Sequence, residues 1–432
     1  QQQQTTHNTH THKRKIIKIT NHGVGGRGGS PLIRSRNCGI IGAGMVGLSL
    51  ANQIGERFPT LSITIIDKEE SIGKHTSGRN SGVLHAGLYY EPGTLKARVC
   101  VDGARRLKEW CKEEGLPIID CGKVITPQRP DLDSQLDLLV KRGTENGAKV
   151  ELIDQKSFNE IVPDGYTSTG RAIWSPTTCV VNPLLVINRL KEKLVKRGVN
   201  FRFFEKDWLR CAKSGDIIFS NGSSLSPGFT FNCAGLQADR VAHKFGLCKQ
   251  YTMLPFKGSY WQLKKSAPFR FSTNLYPVPD LEVPFLGVHV TPGFGGKIYL
   301  GPTATPALGR ENYAGLDGVE PSVALGFARH MTEQILIDKK MRRYTFGQAL
   351  EWMPHKFVAA ARTIIPKLSI EHIEKSSKVG IRPQLYDLKK KSLVQDFLVI
   401  EQGSSAHVIN AISPAFTASF ALADHIIETS TY

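Results

Sequence analysis

The apolar and polar positions near residue 40 predict a strand, a helix and a second strand. An apolar run at 38–41 leads into Gly42-Ala43-Gly44-Met45-Val46-Gly47, and apolar positions then recur at helical spacing. A second apolar run, 61–66, ends at Asp67, twenty residues after Gly47. A buried parallel strand, a glycine turn, a helix and a second strand ending in an acid form the unit that binds dinucleotides.

Each residue type in this unit has a physical reason. Gly42 permits the tight turn, Gly44 lets the backbone approach a pyrophosphate, and Gly47 lets the helix pack closely on the strand. The helix N-terminus offers unpaired N–H groups to an anion. The Asp67 carboxylate is expected to bind ribose hydroxyls. A glycine-rich core crossover without a ligand is the alternative, and the presence of every part of the unit argues against it.

The remaining pattern divides into helical and strand-rich stretches. Helical spacing is predicted at 94–114, 131–146, 182–195, 236–245, 320–353 and 415–429. Strands are predicted at 123–126, 149–153, 171–174, 201–204, 217–220, 229–233, 256–263, 285–291, 297–300, 379–386 and 397–401. Ser413 and Pro414 are expected to be the N-cap and first residue of the last helix. The dense period-two pattern between residues 251 and 300 predicts an antiparallel sheet over the ligand.

Composition and charge limit the function classes. A chain of 432 residues is expected to form two domains, and 40% hydrophobic with 22% charged residues rules out disorder for most of its length. The net charge is +18, of which residues 1–37 hold seven basic and no acidic residues, so the remainder carries +11. That surplus suits an anionic substrate or an anionic membrane surface, and a basic solvated surface is the alternative. No stripe of interleaved aromatic and basic residues supports nucleic-acid binding.

Residues 1–36 are expected to be a disordered basic leader. Their acid-free composition is typical of a mitochondrial transit peptide, and a flexible basic arm is the alternative. The eight cysteines form no CxxC pair, which predicts reduced, mostly buried thiols and no metal site. No apolar run reaches membrane-spanning length.

Several further segments carry a family resemblance. The loop 75–90, the segments 256–261, 285–291 and 380–383, and the stretch 413–418 accompany the glycine turn and Asp67. Together they resemble the FAD-dependent superfamily of D-amino-acid oxidase and glycerol-3-phosphate dehydrogenase, and within it the members that oxidise L-2-hydroxyglutarate. The similarity runs from about residue 37 to the C-terminus. One departure is Asp67, where many members carry glutamate; either carboxylate can bind ribose.

The resemblance implies an α/β fold, α+β overall. A Rossmann-like FAD-binding domain would interleave with an antiparallel-sheet substrate domain. The FAD-binding domain is expected at 37–120, 170–250 and 378–432, and the substrate domain at 121–169 and 251–377.

The implied enzyme oxidises a small dicarboxylate hydroxy acid, L-2-hydroxyglutarate, to 2-oxoglutarate. Glycerol 3-phosphate or a secondary amine or amino acid is the alternative substrate. Electrons would pass to a membrane-linked acceptor, a quinone or an electron-transfer flavoprotein. The setting would be mitochondrial, with peripheral contact to the inner membrane.

Two histidines are candidates for the base that takes the hydroxyl proton, since imidazole accepts protons near neutral pH. His85 lies in the loop that resembles a flavin-contacting segment, and we prefer it. His289 alternates with Val288 and Val290 on a strand and points away from both. One of the two histidines can instead be a hydrogen-bonded core residue.

The dicarboxylate requires at least two cationic or strong donor groups. Arg382 is the first candidate because its planar fork holds a carboxylate by two parallel hydrogen bonds; an arginine paired with a structural acid is the alternative. Lys257 is the second candidate, and a solvated edge lysine is equally compatible with the sequence. Tyr89, Tyr260 and His407 are expected to line the pocket.

The resemblance also implies cofactor contacts from small residues, hydrogen-bond donors and flexible backbone. Besides Gly42, Ala43, Gly44, Met45, Val46, Gly47 and Asp67, these are Lys68, Thr76, Ser77, Arg79, Asn80, Ser81, Gly82, Ala234, Gly235, Gly403, Ser404 and Ser413. A positive helix end near Gly403, Ser404 or Ser413 would stabilise an anionic reduced flavin.

Overall fold

The structure is a computed structural model that describes residues 36–207, 210–211, 216–279, 286–337 and 353–431. The predicted leader lies outside these residues apart from Arg36, as do Phe285 and most of the second half of the helical stretch predicted at 320–353.

The described residues form a mixed α/β fold. The helices are α1 Met45–Arg57, α2 Leu95–Glu113, α3 Asp133–Glu145, α4 Gln155–Ile161, α5 Pro183–Lys196, α6 Ala238–Lys244, α7 Pro321–Ile337, α8 Pro354–Ala361 and α9 Ser419–Thr431. Short 3₁₀ turns occupy Pro130–Leu132, Gly235–Gln237, Phe294–Gly296 and Ile370–His372.

The strands in the first half of the chain are β1 Asn37–Ile41, β2 Ser62–Ile66, β3 Val83–Leu84, β4 Ile118–Ile119, β5 Lys123–Thr126, β6 Glu151–Ile153, β7 Ala172–Ser175, β8 Cys179–Val181, β9 Asn200–Arg202, β10 Arg210–Cys211 and β11 Ile217–Ile218. Those in the second half are β12 Ser224–Leu225, β13 Phe229–Asn232, β14 Tyr251–Leu263, β15 Asn274–Pro277, β16 His289–Pro292, β17 Ile298–Gly301, β18 Thr305–Pro306, β19 Ile373–Asp387, β20 Ser392–Leu393, β21 Leu398–Gln402 and β22 Ser405–Asn410.

The first sheet carries the glycine turn. Its order is β21-β22-β13-β1-β2-β9, and all neighbours are parallel except β21 and β22. Strand β13 pairs with β1, so the strand predicted at 229–233 lies in this sheet. Helices α1, α2, α5 and α9 supply apolar residues to the core against the sheet, including Leu48, Leu107, Leu190 and Leu422. The carboxyl ends of the parallel strands therefore meet at one edge, where ligands bind in open α/β sheets.

The second sheet is mostly antiparallel. It runs β20-β19-β14-β17-β16-β15-β5-β7-β6, with β18 also paired to β14. Strands β14 and β19 pair from Tyr251 with Asp387 to Leu263 with Ile373, and β5 and β15 form a parallel pair. Two smaller sheets, β3-β8-β4 and β10-β11-β12, complete the strand pairing of the described residues.

Local signals explain several helix boundaries. Helix α2 begins after Thr94, whose side chain accepts a hydrogen bond from the Ala97 N–H, and α5 begins after Asn182, which caps the Leu184 N–H at 3.1 Å. The predicted start of the last helix was wrong. Ser413 and Pro414 begin a run of turns, in which the Ala418 N–H donates to Pro414 O at 2.9 Å, and α9 starts only at Ser419.

Strand pairing differs from the predicted domain boundaries at two places. Strand β7 was assigned with 170–250 to the FAD-binding domain, but it pairs with β5 and β6 in the second sheet because the three strands form an antiparallel run. Strand β19 continues past residue 378 to Asp387 while paired to β14, so its second half also belongs to that sheet.

Two predictions concern the whole described chain. Seven of the eight cysteines are unpaired and buried, as predicted: Cys38, Cys100, Cys111, Cys121, Cys179, Cys233 and Cys248. Among the described helices, none combines the length and apolar character that crossing a membrane requires.

Candidate active site

A cavity of about 900 Å³ lies between the two sheets. Its wall on the side of the first sheet consists of the glycine turn and the residues that follow β2 and β13. Strands β14, β15, β16 and β19 of the second sheet supply the facing wall, and the turns at 411–417 add a third side. The site therefore combines the edge predicted for a dinucleotide with side chains of the second sheet.

Gly42 and Gly44 of the glycine turn leave no room for a side chain at their positions. Gly42 has φ of 110°, and a Cβ there would lie 2.4 Å from Cys233 O. A Cβ on Gly44 would lie 2.9 Å from Ser77 Oγ, which accepts a hydrogen bond from the Met45 N–H at 2.9 Å. Gly42, Gly44, Met45 and Val46 line the cavity, whereas Ala43 and Gly47 lie outside its lining.

Asp67 joins the turn to the end of β2. Its carboxylate accepts hydrogen bonds from the Ala43 N–H at 2.7 Å and the Glu69 N–H at 2.9 Å, and it lines the cavity. Burial raises the pKa of this carboxyl, although both hydrogen bonds and the charges of His75 and Lys68 oppose that shift. Asp67 thus orients the turn as well as facing the space where ribose hydroxyls are expected.

The loop after Asp67 is fastened to the second sheet. Thr76 Oγ1 donates to Ile381 O at 3.0 Å, and a Cβ on Gly380 would lie 2.5 Å from Arg79 O. Within the loop, Asn80 Nδ2 donates to Ser77 O at 2.8 Å and Asn80 Oδ1 accepts from the Gly82 N–H at 2.8 Å. Of the predicted loop residues, these line the cavity: Lys68, Thr76, Ser77, Arg79, Asn80 and Ser81. Gly82 instead packs on the backbone of Val181.

A charged cluster stands at the end of the cavity next to Asp67. Glu69, His75 and Glu311 place potential metal-ligand atoms within 4.8 Å of one another. The Lys68 ammonium already lies among them, 2.8 Å from Glu311 and 3.1 Å from His75 Nε2. This lysine supplies the positive charge that the two carboxylates require.

His289, on the wall that the second sheet supplies, is held in one tautomer. The side chain is only 4% exposed, its ring stacks on Tyr276 at 3.9 Å, and Nδ1 lies 2.9 Å from Gly287 O. A carbonyl can only accept, so Nδ1 carries the proton and Nε2 is an acceptor. Burial lowers the pKa of His289 to about 3, and the nearby charges of Arg382 and Lys123 act in the same direction. The imidazole is therefore neutral.

His85 lines the same region but is less constrained. Its backbone N–H donates to Thr417 Oγ1 at 3.2 Å, while its Nδ1 has no hydrogen-bond partner among the described residues. Burial lowers the pKa of His85 to about 3, with smaller contributions from Lys123 and His289. The structure brings both candidate bases to one end of the cavity, and it fixes the tautomer of His289 alone.

The predicted substrate residues divide into two groups. Arg382, Tyr89 and Tyr260 line the cavity. Burial raises the pKa of Tyr260 to about 12, although the nearby charge of Arg382 opposes that rise. Lys257 lies outside the cavity lining and donates to Asn312 Oδ1 at 2.8 Å. Its neighbour Gly258, which lines the cavity, explains this placement, because successive strand residues face opposite sides.

Three further residues predicted for the site lie outside the cavity lining. His407 is fully buried between Asn232 Nδ2 at 3.2 Å and Ser405 Oγ at 3.1 Å, so it is a core histidine. Gly403 and Ser404 form the turn before β22, and Ser404 O accepts from the Thr230 N–H. That turn lies at the amino ends of the parallel strands, whereas the glycine turn follows their carboxyl ends. Ala234, Gly235 and Ser413 do line the cavity.

Sequence reasoning missed residues whose position depends on the tertiary fold. Tyr276 and Arg142 line the cavity, and Arg142 Nη1 donates to Tyr89 O at 3.3 Å. Lys123 lies behind Tyr89 and Tyr276 and is fully buried. The only signal for Lys123 was a lysine within an apolar strand pattern, and none distinguished Arg142 from other helical arginines.

Comparisons with known proteins agree with this geometry. A family model described as FAD dependent oxidoreductase (DAO) matches residues 38–429. The L-2-hydroxyglutarate dehydrogenase, mitochondrial, of Caenorhabditis elegans is 36% identical over 405 residues, covering 90% of this chain and 91% of the relative. The L-2-hydroxyglutarate dehydrogenase of the bacterium Indibacter alkaliphilus is 32% identical over 400 residues, covering 90% and 97%.

The fold also matches solved structures. The L-alpha-glycerophosphate oxidase from Mycoplasma pneumoniae, reduced by dithionite with FAD bound, superimposes with a TM-score of 0.70 at 18% identity. The match covers 91% of this chain and 94% of that structure. At this identity the comparison establishes the fold, which agrees with the Rossmann-like unit predicted from the glycine turn.

Proposed function

Because the chain belongs to the family of FAD dependent oxidoreductases and is therefore a FAD-dependent enzyme, we propose that it oxidises L-2-hydroxyglutarate to 2-oxoglutarate. The observation that carries this proposal is the placement of Arg382 near His289 in the cavity wall. A carboxylate-binding fork beside a neutral imidazole suits a 2-hydroxy acid, whose carboxylate and hydroxyl are on adjacent carbons.

The residues of the cavity fit FAD. Gly42 and Gly44 line the cavity where a pyrophosphate is expected, and a Cβ at either position would displace the turn, because it would meet Cys233 O at 2.4 Å or Ser77 Oγ at 2.9 Å. Asp67 ends β2, where the ribose is expected. Ser77 and Arg79 supply donors along the wall, and the Asn80 amide holds the loop that carries them. When bound, FAD supplies the acceptor for a hydride.

The protein groups would then bind and deprotonate the substrate. Arg382 binds the carboxylate next to the hydroxyl. His289 Nε2 accepts the hydroxyl proton, because its Nδ1–H is already donated to Gly287 O. The anionic substrate and the charge that develops on its oxygen both favour the imidazolium, so they raise the low pKa of His289 toward the range of a working base.

The second carboxylate of the substrate requires another cation. Lys257 is engaged with Asn312 outside the cavity. Arg142 lines the cavity next to Tyr89, to whose carbonyl it donates. We therefore assign the distal carboxylate to Arg142.

The proposed cellular setting follows from the composition of the first 36 residues and from the relatives. The acid-free composition of residues 1–36 and the word mitochondrial in the name of the Caenorhabditis elegans relative favour a mitochondrial enzyme that passes electrons to a membrane-linked acceptor. A bacterial relative also matches, so the reaction itself is not tied to that organelle.

Anaerobic reduction of the bound flavin tests the proposed reaction directly. Mixing the oxidised holoenzyme with L-2-hydroxyglutarate should bleach the flavin absorption band, and the D-enantiomer should leave it unchanged, because Arg382 and His289 fix one face of the substrate. Absorbance without oxygen measures this step independently of the natural acceptor. Reduction only by glycerol 3-phosphate or by an amine would contradict the proposal.

Substitutions of Arg382 and Arg142 should differ in which substrates they affect. Arg382→Lys should raise KM roughly tenfold to a hundredfold for both L-2-hydroxyglutarate and the monocarboxylate L-2-hydroxybutyrate, because lysine cannot form the paired hydrogen bonds. Arg142→Met should raise KM by a similar factor for the dicarboxylate alone. Flavin-reduction kinetics with both substrates measure this, and the retained flavin content controls for folding. Equal effects of Arg142→Met on both substrates would contradict its assignment.

A further inference from the structure

Lys123 is a buried cation next to the proposed substrate end of the cavity. The side chain is 0% exposed, and its Nζ has no hydrogen-bond partner among the described residues. A buried ammonium is costly unless hydrogen bonds or an anion compensate it. The position of Lys123 therefore calls for a compensating group.

Two tyrosine rings separate this ammonium from the cavity. Lys123 Nζ lies 4.8 Å from the ring centroid of Tyr89 and 5.1 Å from that of Tyr276, and both rings line the cavity. Cation–π attraction offsets only part of the cost of burial. Tyr276 in turn stacks on His289, and Tyr89 O accepts from Arg142. The lysine thus contacts both tyrosines that support the groups assigned to the substrate.

We propose that Lys123 is a positioning residue for the reaction: its ammonium holds Tyr89 and Tyr276 against the cavity and places a fixed positive charge behind the wall where the anionic substrate binds. This inference rests on the proposed function. An anion in the cavity provides, through attraction across the two rings, the compensation that the described residues do not supply to Lys123 Nζ. The same charge opposes protonation of His85 and His289, and so adds to the effect of burial, which is the larger cause of their neutral state.

The charge of Lys123 changes within a pH range in which binding can be measured. Burial lowers the pKa of Lys123 to about 8, so the ammonium is present at pH 7 and is lost as the pH rises through about 8. The titratable and charged groups that influence this lysine and the two histidines come from several elements. They are His85, Tyr89, Cys100, Cys121, Tyr276, His289 and Arg382.

Binding of glutarate, a dicarboxylate without the reacting hydroxyl, measures the effect without turnover. Its Kd follows from perturbation of the flavin spectrum, and its carboxylates stay ionised across pH 6.5–9.5. In the holoenzyme, Kd should rise as the pH passes through about 8. In Lys123→Met, Kd should be roughly tenfold higher at pH 7 and should not change near pH 8. The KM for L-2-hydroxyglutarate should rise in parallel and more than kcat falls.

Lys191→Met is the matched control, because Lys191 Nζ also lies over two rings, 5.8 Å from Phe201 and 5.0 Å from Phe203, away from the cavity. The Lys191→Met substitution should leave the glutarate Kd and its pH dependence unchanged.

A glutarate Kd that is independent of pH near 8 in the unmodified holoenzyme overturns the inference, and this holds even if Lys123→Met does not fold. A folded Lys123→Met with unaltered Kd overturns it as well. If glutarate binds as expected but L-2-hydroxyglutarate does not reduce the flavin, the proposed function fails, whereas the effect of Lys123 on anion binding stands.

Discussion

Replacing His289 with asparagine should slow reduction of the bound flavin by L-2-hydroxyglutarate roughly a hundredfold to ten-thousandfold, the range that a general base contributes. The neutral ring presents Nε2 as an acceptor because Nδ1 donates to Gly287 O at 2.9 Å. Asparagine offers no nitrogen acceptor there. Stopped-flow absorbance under anaerobic conditions gives the rate of reduction at saturating substrate.

His85→Ala is the comparison that decides between the two histidines. Although the loop resemblance favoured His85, no hydrogen bond to its Nδ1 from the described residues fixes its tautomer. We therefore expect His85→Ala to slow flavin reduction less than tenfold, far below the effect of His289→Asn. Flavin content of both variants controls for loss of the fold. A larger effect at His85 would reverse the assignment of the base.

The glycine turn and its surroundings were predictable because their signals are local. The order of strand, turn, helix, strand and acid places Gly42, Gly44 and Asp67 within one continuous segment, and the structure reproduces that order. Cap residues such as Thr94 and Asn182 likewise act on the next turn of chain. Periodicity therefore located most helices to within a few residues.

Strand β22 escaped prediction because its polar residues are satisfied by tertiary contacts. Ser405, His407 and Asn410 are buried, and each forms a hydrogen bond to another part of the protein or to its own strand. In sequence they read as turn or site residues. This explains why His407 and the adjoining Gly403–Ser404 turn were assigned to the site, although they belong to the core and to the opposite sheet edge.

The substrate end was only partly predictable for a related reason. Arg382 was identified because its planar fork suits a carboxylate and because segment 380–383 carries the family resemblance. Lys123, Tyr276 and Arg142 come from β5, β15 and α3, and the pairing of β5 with β15 brings the first two together. No spacing rule connects residues so far apart along the chain. The facing direction of Lys257 depended on strand register, which the pattern did not determine.

Gly47→Ala should abolish or greatly reduce FAD binding. A Cβ on Gly47 would lie 2.1 Å from Gly42 O, and that atom belongs to backbone whose N–H is bonded to Ile66 O at 2.8 Å. The added methyl group must therefore push α1 away from β1 or open the turn that holds the pyrophosphate. The flavin-to-protein absorbance ratio of the purified variant measures the loss.

Gly55→Ala on the same helix is the matched control. Its Cβ would meet only Ile63 Cδ1 at 3.8 Å, an ordinary contact, and alanine is about 1 kcal/mol better than glycine in a helix interior. Gly55→Ala should retain full flavin content with an equal or higher Tm. Because the two variants make the same chemical change in one helix, a difference between them reports the close approach at Gly42. Full flavin content in Gly47→Ala would show that the turn tolerates displacement, and the cradle assigned to the pyrophosphate would then be wrong.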